Sequence, residues 1–376
     1  MVVQLQMNII DNDITTDLQA QVKQAISNQT PLYIHGGNSK QFYGNAVDAT
    51  PLDISVHTGI INYDPSELCI TVRAGTKLSD IETLLAENNQ ILAFEPPHYL
   101  YSSLNNQDTA TIGGTIASGI SGPSRAYTGS VRDSILGVNI INGDGEIANF
   151  GGEVMKNVAG YDLSRMMVRS QGTLGVILSI SVRVIPKPEH NITLAFKASQ
   201  SEALSYFQDL RKNTLPITAT AWLNNTALIR LSASEQVLQS CKEKVKGDER
   251  LNADSFWQDI RDHTHEFFTS SKNDDKPLWR FSLPPATSEK IQLDGEELIE
   301  WSGAQRWIHS NAPANIIRDI ATSQKGYATL FNNAPSDESA TRFSELEPAL
   351  FTLHKQLKNQ MDPQGIFNPG RIYKGL

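Results

Sequence analysis

Thr109-Ala110-Thr111-Ile112-Gly113-Gly114-Thr115-Ile116-Ala117-Ser118-Gly119-Ile120-Ser121-Gly122-Pro123 is built almost wholly from small residues. Glycine, alanine, serine and threonine at nearly every position let a flat ligand, or its phosphates, lie directly on the backbone. Close packing of a helix on a sheet selects the same residues, so the run by itself leaves both readings open. Its setting narrows them. Of the 25 glycines in the chain, 13 fall between Gly113 and Gly175. Ile, Val, Leu and Met fill the gaps, so this is a folded region of tight turns rather than a low-complexity linker.

Working upstream, Pro31-Leu32-Tyr33-Ile34 reads as a short buried strand that runs into His35-Gly36-Gly37-Asn38-Ser39. Such a loop exposes successive backbone N–H groups, with Asn38 and Ser39 as further donors, and so forms a concavity for a phosphate or diphosphate. A Gly-Gly turn between strands needs no ligand, and this signal alone is weak. Leu68–Ala74 alternates with period two and ends at Gly75, a half-buried strand. Thr76–Asn88 places Leu78, Ile81, Leu84 and Leu85 on one helical face. Downstream, Gly160-Tyr161-Asp162-Leu163-Ser164-Arg165 precedes Gly172-Thr173-Leu174-Gly175-Val176-Ile177, which opens a long strand stopped by Pro186 and Pro188. No G-x-x-x-x-G-K-[ST] occurs, and no G-x-G-x-x-G opens a helix after the first strand. Neither a P-loop nor a Rossmann site is supported. The mixture of strands and helices is α+β.

The texture changes from about Asn191 to Asn333, where glycine thins out and all five tryptophans lie. Ala219–Leu223 and Ala227–Leu231 read as a hairpin around Asn224-Asn225. The expected organisation is a first domain over 1–188, a cap domain over 189–335, and a segment over 336–376 that completes the first domain. The last segment carries a helix with Leu346, Leu350, Leu353 and Leu357 on one face, then a turn-rich tail. The formal net charge of −9 argues against a broad nucleic-acid footprint. Two cysteines, Cys69 and Cys241, are too few for a zinc site, an iron–sulfur cluster or a disulfide framework. No membrane-spanning run and no signal-peptide pattern is found, which gives the expectation of a cytoplasmic protein.

The order of the three glycine motifs resembles the FAD-binding domain of the vanillyl-alcohol-oxidase (PCMH-type) flavoproteins. There a Gly-Gly loop and an Ile-Gly-Gly segment clasp the FAD diphosphate, and the Gly-x-Leu-Gly-Val-Ile strand lies along the adenosine half. The resemblance implies cofactor contacts from His35, Gly36, Gly37, Asn38, Ser39, Thr109, Thr111, Gly113, Gly114, Ala117, Ser118, Gly119, Gly122, Gly175, Val176 and Ile177. The tail Asp362-Pro363-Gln364-Gly365-Ile366-Phe367-Asn368-Pro369-Gly370-Arg371 is similar to the closing signature of the hydroxy-acid-oxidising branch. Val154–Asp162 resembles a run of the E-subunit group of three-subunit bacterial glycolate oxidases. Membership would imply FAD as hydride acceptor for glycolate, giving glyoxylate, with electrons passed to an iron–sulfur partner. The implied partners are a catalytic flavin subunit and an iron–sulfur subunit, with a peripheral place at the inner membrane through them.

The departures from the family pattern matter too. Some relatives carry a flavin-linked His directly after the glycine pair; Asn38 stands there, so FAD is expected to be non-covalent. His35 precedes the glycines where many relatives carry Arg. The His-x-Gly-Asp-Gly-Asn-x-His segment of the catalytic hydroxy-acid dehydrogenases has no counterpart here, and no residue declares itself as a catalytic base. His263 and His265 are expected on a surface helix without a metal. Arg132 and Asp133 read equally as flavin neighbours or as a framework pair, with Arg125 beside them as a further cation. Lys156 and Tyr161 read as facing the substrate, and Cys69 as a buried apolar residue. Two alternatives to the complex subunit remain: a self-sufficient FAD oxidoreductase for another 2-hydroxy acid or alcohol, and a non-catalytic flavin-fold scaffold.

Overall fold

A computed structural model describes residues 9–99, 108–152, 163–270, 276–287, 290–332 and 341–376. The expected substrate-side residues Lys156 and Tyr161 lie outside them. The chain divides into two compact units, one of Met1–Ile120, Ser130–Lys187 and Glu345–Leu376, the other of Ser121–Gly129 and Pro188–Ser344. The expected boundaries therefore shift in two places: residues 121–129 join the second unit, and the return to the first comes at Glu345. The first shift has a visible cause. Trp301 Nε1 donates to the Gly122 carbonyl at 3.0 Å, Tyr127 Oη meets Ser302 Oγ at 2.6 Å, and the Arg125 guanidinium lies 4.6 Å from the Trp301 ring centroid. No sequence periodicity announces partners so far apart in the chain.

The first unit is organised by a five-stranded antiparallel sheet in the order Ile60–Asp64, Cys69–Arg73, Val176–Arg183, Ile135–Ile141, Ile147–Gly151. The central strand Val176–Arg183 is buried along seven of its eight residues, so the serines that alternate with Leu178, Ile180 and Val182 are buried as well. Its serines are satisfied sideways, Ser181 by Thr71 at 2.9 Å and Ser179 by Asn139 at 2.9 Å. Leu18 and Val22 of the helix Thr15–Asn28, and Leu78, Ile81 and Leu85 of the helix Leu78–Glu87, complete one apolar core with these strands. Beside the sheet, Leu32–His35 pairs in parallel with Thr50–Asp53. The C-terminal tail adds to that pair, with Leu32 N donating to Ile366 O and Asn368 N to Leu32 O.

In the second unit an eight-stranded sheet takes the order Asp248–Glu249, His190–Lys197, Thr226–Ala233, Ile217–Leu223, Glu297–Glu300, Gln305–His309, Leu278–Ser282, Tyr327–Asn332. The hairpin Ile217–Leu223 to Thr226–Ala233 turns at Asn224 and Asn225, both left-handed, as a two-residue type I′ turn requires. The helices Gln200–Leu210, Glu235–Lys242 and Ala314–Ser323 bury Phe207, Leu238 and Ile317 against the strands.

Two side-chain expectations are corrected here. His263 is buried: it ends the helix Ala253–Asp262 in a left-handed conformation, stacks on Phe268 with ring centroids 3.8 Å apart, and sits edge-on to Trp307. The left-handed turn swings its ring inward, and burial holds its pKa well below the usual histidine range. The C-terminal helix Pro348–Met361 does not bury its leucine stripe. Leu346 precedes it, Leu350 and Leu353 are 44% and 60% exposed, Leu357 is partly buried against the core, and the buried side chain of the helix is Lys358. The Lys358 ammonium donates to Thr173 O, Asp362 Oδ2 and Phe367 O, each at 2.7 Å. The helix is anchored through a charge, which apolar periodicity cannot reveal.

Candidate functional site

The strand Leu32–His35 ends at a loop whose shape is set by its own side chains. Tyr33 Oη donates to Asn38 Oδ1 at 3.1 Å, and the Tyr33 and His35 rings stack with centroids 5.3 Å apart. Asn38 is left-handed, a conformation asparagine adopts more readily than most residues. Among the described residues the backbone N–H groups of Gly37 and Asn38 meet no acceptor. The loop thus presents adjacent donors to a cleft, an arrangement suited to a phosphate. Ser39 and Lys40 are buried next to it, and the Lys40 ammonium, 3.3 Å from Ser39 Oγ, adds positive charge to the lining.

The facing wall is the helix Ile112–Ser118. Its first N–H groups are already used: Ile112 N donates to Thr76 O, Gly113 N to Ala74 O, and Gly114 N to its cap, Thr111 Oγ1. The donors available for an anion therefore belong to the loop, not to the helix end. The glycines divide accordingly. A Cβ on Gly36 would stand 2.6 Å from Thr111 Oγ1, on Gly37 1.5 Å from the Thr109 carbonyl oxygen, and on Gly113 2.8 Å from Ala74. These three serve close backbone packing. A Cβ on Gly114 would meet only Thr111 Oγ1, at 3.2 Å, so its missing side chain keeps the cleft open.

The third wall comes from Gln171, Gly172, Gly175 and Ile177, and the tail closes it. Asn368 ties three segments together: Oδ1 accepts from Ile34 N at 2.7 Å, and Nδ2 donates to Gln171 O at 2.7 Å and to Ile34 O at 3.3 Å. Arg371 donates to Asn45 O and Gln41 O at 2.6 and 2.7 Å. No carboxylate lines the cleft among the described residues, which suits an anionic ligand.

Of the residues named from sequence, His35, Gly36, Gly37, Asn38, Ser39, Thr111, Gly113, Gly114, Ala117, Ser118, Gly175 and Ile177 line this cleft. Four do not. Thr109 lies beneath Gly37, Gly119 is the left-handed cap of the helix, Val176 is fully buried in the central strand, and Gly122 belongs to the second unit. Sequence reasoning missed Tyr33, Lys40, Tyr43, Gln171, Asn368 and Arg371. The tail signature was the signal for the last two; nothing local marks Gln171. Arg132 and Asp133 stand apart from the cleft lining, with Arg132 exposed and Asp133 closing a capping box with Ser130.

One titratable group near this unit's core is strongly perturbed. Burial alone would lower the pKa of His98. The carboxylates of Asp108, 2.9 Å from Nδ1, and Glu82, 3.1 Å from Nε2, outweigh that and raise it to about 9. His98 in turn holds Asp108 below the ordinary carboxylate range against its own burial.

The profile of a family described as FAD binding domain matches residues 13–151. The glycolate oxidase subunit GlcE of Escherichia coli (strain K12) is 44% identical over 364 residues, 97% of this chain and 99% of that protein. The D-lactate dehydrogenase of Archaeoglobus fulgidus is 22% identical, over 96% of this chain and 90% of its own length. Among solved structures, alkyldihydroxyacetonephosphate synthase superposes with a TM-score of 0.65 at 14% identity, covering 94% of this chain and 75% of that one, a likeness of fold. A family profile over residues 13–151, and a relative 44% identical over nearly the whole of both chains, place the chain in the glycolate oxidase GlcE-subunit family of FAD-dependent oxidoreductases.

Proposed function

We propose that this chain is the FAD-binding subunit of a complex that oxidises glycolate to glyoxylate. The observation that carries the reading is the cleft, with its loop of unused N–H donors, its opening at Gly114, and its freedom from carboxylates. When bound, FAD supplies the hydride-accepting ring. This chain's residues bind and orient it: loop 36–39 holds the diphosphate, Lys40 offsets its charge, and the segments of Gln171 and Asn368 flank the remainder. Asn38 gives no attachment point for a covalent flavin, so acid precipitation should release all the FAD into solution.

Both cysteines are buried singly, which supports an iron–sulfur partner as the onward electron acceptor, beside a catalytic flavin subunit. No helix among the described residues is long and apolar enough to cross a membrane, and attachment to the inner membrane would go through those partners. The test is the visible spectrum of the purified chain, followed by anaerobic glycolate. Flavin bands that stay oxidised alone and bleach when the partner subunits are added support the subunit reading. A second reading, a self-sufficient dehydrogenase for another 2-hydroxy acid, draws on the end-to-end likeness to the D-lactate dehydrogenase. Bleaching of the isolated chain by glycolate or D-lactate would put that reading first. A chain that folds but takes up no FAD would contradict both.

A further inference from the structure

His35 ends the strand Leu32–His35 and lines the cleft beside the loop that presents the Gly37 and Asn38 N–H groups. Its two ring nitrogens stand in unlike surroundings. Nδ1 lies 3.0 Å from the Gly36 carbonyl oxygen and 3.8 Å from Asp53 Oδ1, with Asn38 Nδ2 farther than the carbonyl, at 3.4 Å. Two oxygens facing one nitrogen place the proton of the neutral ring on Nδ1. Nε2 then carries the lone pair. It meets no hydrogen-bond partner among the described residues, and 18% of the side chain is exposed.

An anion held at this loop would meet that lone pair. The conflict is removed if the ring takes a second proton, which turns Nε2 into a charged donor. The Tyr33 ring stacked on it, with centroids 5.3 Å apart, suits a cation as its neighbour. Few other charges surround the position. Asp53 comes from the paired strand Thr50–Asp53, Lys40 from the loop, and Arg371 from the tail, its terminal nitrogens given to the Asn45 and Gln41 carbonyls. The helix Ile112–Ser118 and the segment 171–175 bring none. Carboxylates, lysines and arginines ordinarily hold their charge between pH 6 and pH 8, where an imidazole changes its own. His35 is the one histidine among the described residues that line the cleft.

We infer that His35 takes up a proton from solvent when the FAD diphosphate enters the loop and, as imidazolium, gives Nε2–H to a phosphate oxygen, so that cofactor affinity falls as pH rises. This rests on the FAD reading of the cleft. The test titrates apoprotein with FAD by calorimetry at pH 7 in phosphate and in Tris, whose heats of ionisation differ, and by quenching of flavin fluorescence at pH 6 and pH 8. Binding should draw protons from the buffer, and FAD should bind about fivefold more weakly at pH 8 than at pH 6. His35→Gln keeps an N–H but cannot gain a charge. It should take up no proton and bind FAD equally at both pH values, with the affinity of wild type at pH 8. Wild-type protein that takes up no proton and binds equally at both pH values, a result that needs no variant, overturns the inference. A Gln variant that keeps the proton uptake or the pH dependence overturns it as well. Failure of wild type to bind FAD at either pH would instead remove the site reading on which it stands.

Discussion

Gly113 and Gly114 are adjacent in the sequence, yet their missing side chains serve different ends. At Gly113 a Cβ would collide with Ala74 at 2.8 Å; at Gly114 it would point into the cleft. Gly113→Val should therefore cost about 1–3 kcal/mol through overpacking, read as a lower urea midpoint. Gly114→Val should keep the midpoint and lose flavin binding. A yellow, stoichiometric Gly114→Val protein would show that the cleft is not the flavin site. His263 illustrates the same scale in the second unit. Its ring fills space among Phe268, Trp307 and Phe331, so His263→Ala should lose about 2–4 kcal/mol of stability by the cavity left behind. Flavin content should not change. An unaltered urea midpoint would return this histidine to the surface.

Two elements depend on buried charge. The C-terminal helix is held by Lys358, and Asp362, 1% exposed, accepts from it while also receiving Ile366 N and Phe367 N. Lys358→Met should destabilise the first unit by about 3–5 kcal/mol, because it strands a buried carboxylate. Adding Asp362→Asn should recover part of the loss, since no charge is then left alone; a single variant costing under about 1 kcal/mol would mean that the tail is held otherwise. Near the helix Leu78–Glu87, His98 is clasped between Glu82 and Asp108. Its folded pKa of about 9 lies above the ordinary 6.5. The stability it contributes is thus full below pH 6.5 and lost as pH rises through 9, on the order of 3 kcal/mol. The difference in urea midpoint between wild type and His98→Gln should shrink from pH 6.5 to pH 9.5. A constant difference would mean that the imidazole stays neutral.

At the scale of the molecule, the two units carry separate reporters. All five tryptophans, Trp222, Trp257, Trp279, Trp301 and Trp307, belong to the second unit, while the cleft belongs to the first. Flavin release should follow unfolding of the first unit and tryptophan fluorescence that of the second. FAD at about 100 times its Kd should stabilise the unit that binds it by about 2.7 kcal/mol. Lys358→Met should lower the flavin-release midpoint and leave the tryptophan midpoint in place. If both midpoints moved together, the two units would be one cooperative body.

The sequence by itself determined the α+β class, the strand–loop–glycine order of the cofactor half, the Asn-Asn hairpin and the loop 35–39. Each is written in local chemistry: a backbone conformation only certain residues adopt, or an alternation that a single element must obey. Only the tertiary structure decided which glycine packs and which opens the cleft, because that depends on what lies across from each Cβ. It also decided that residues 121–129 belong to the second unit, that His263 is buried, and that the last helix is anchored by a lysine. Gln171 entered the site in the same way. Its backbone meets Ala117 and Asn368, and its side chain Tyr43 and Gly44, residues distant in the chain that only the fold brings to it.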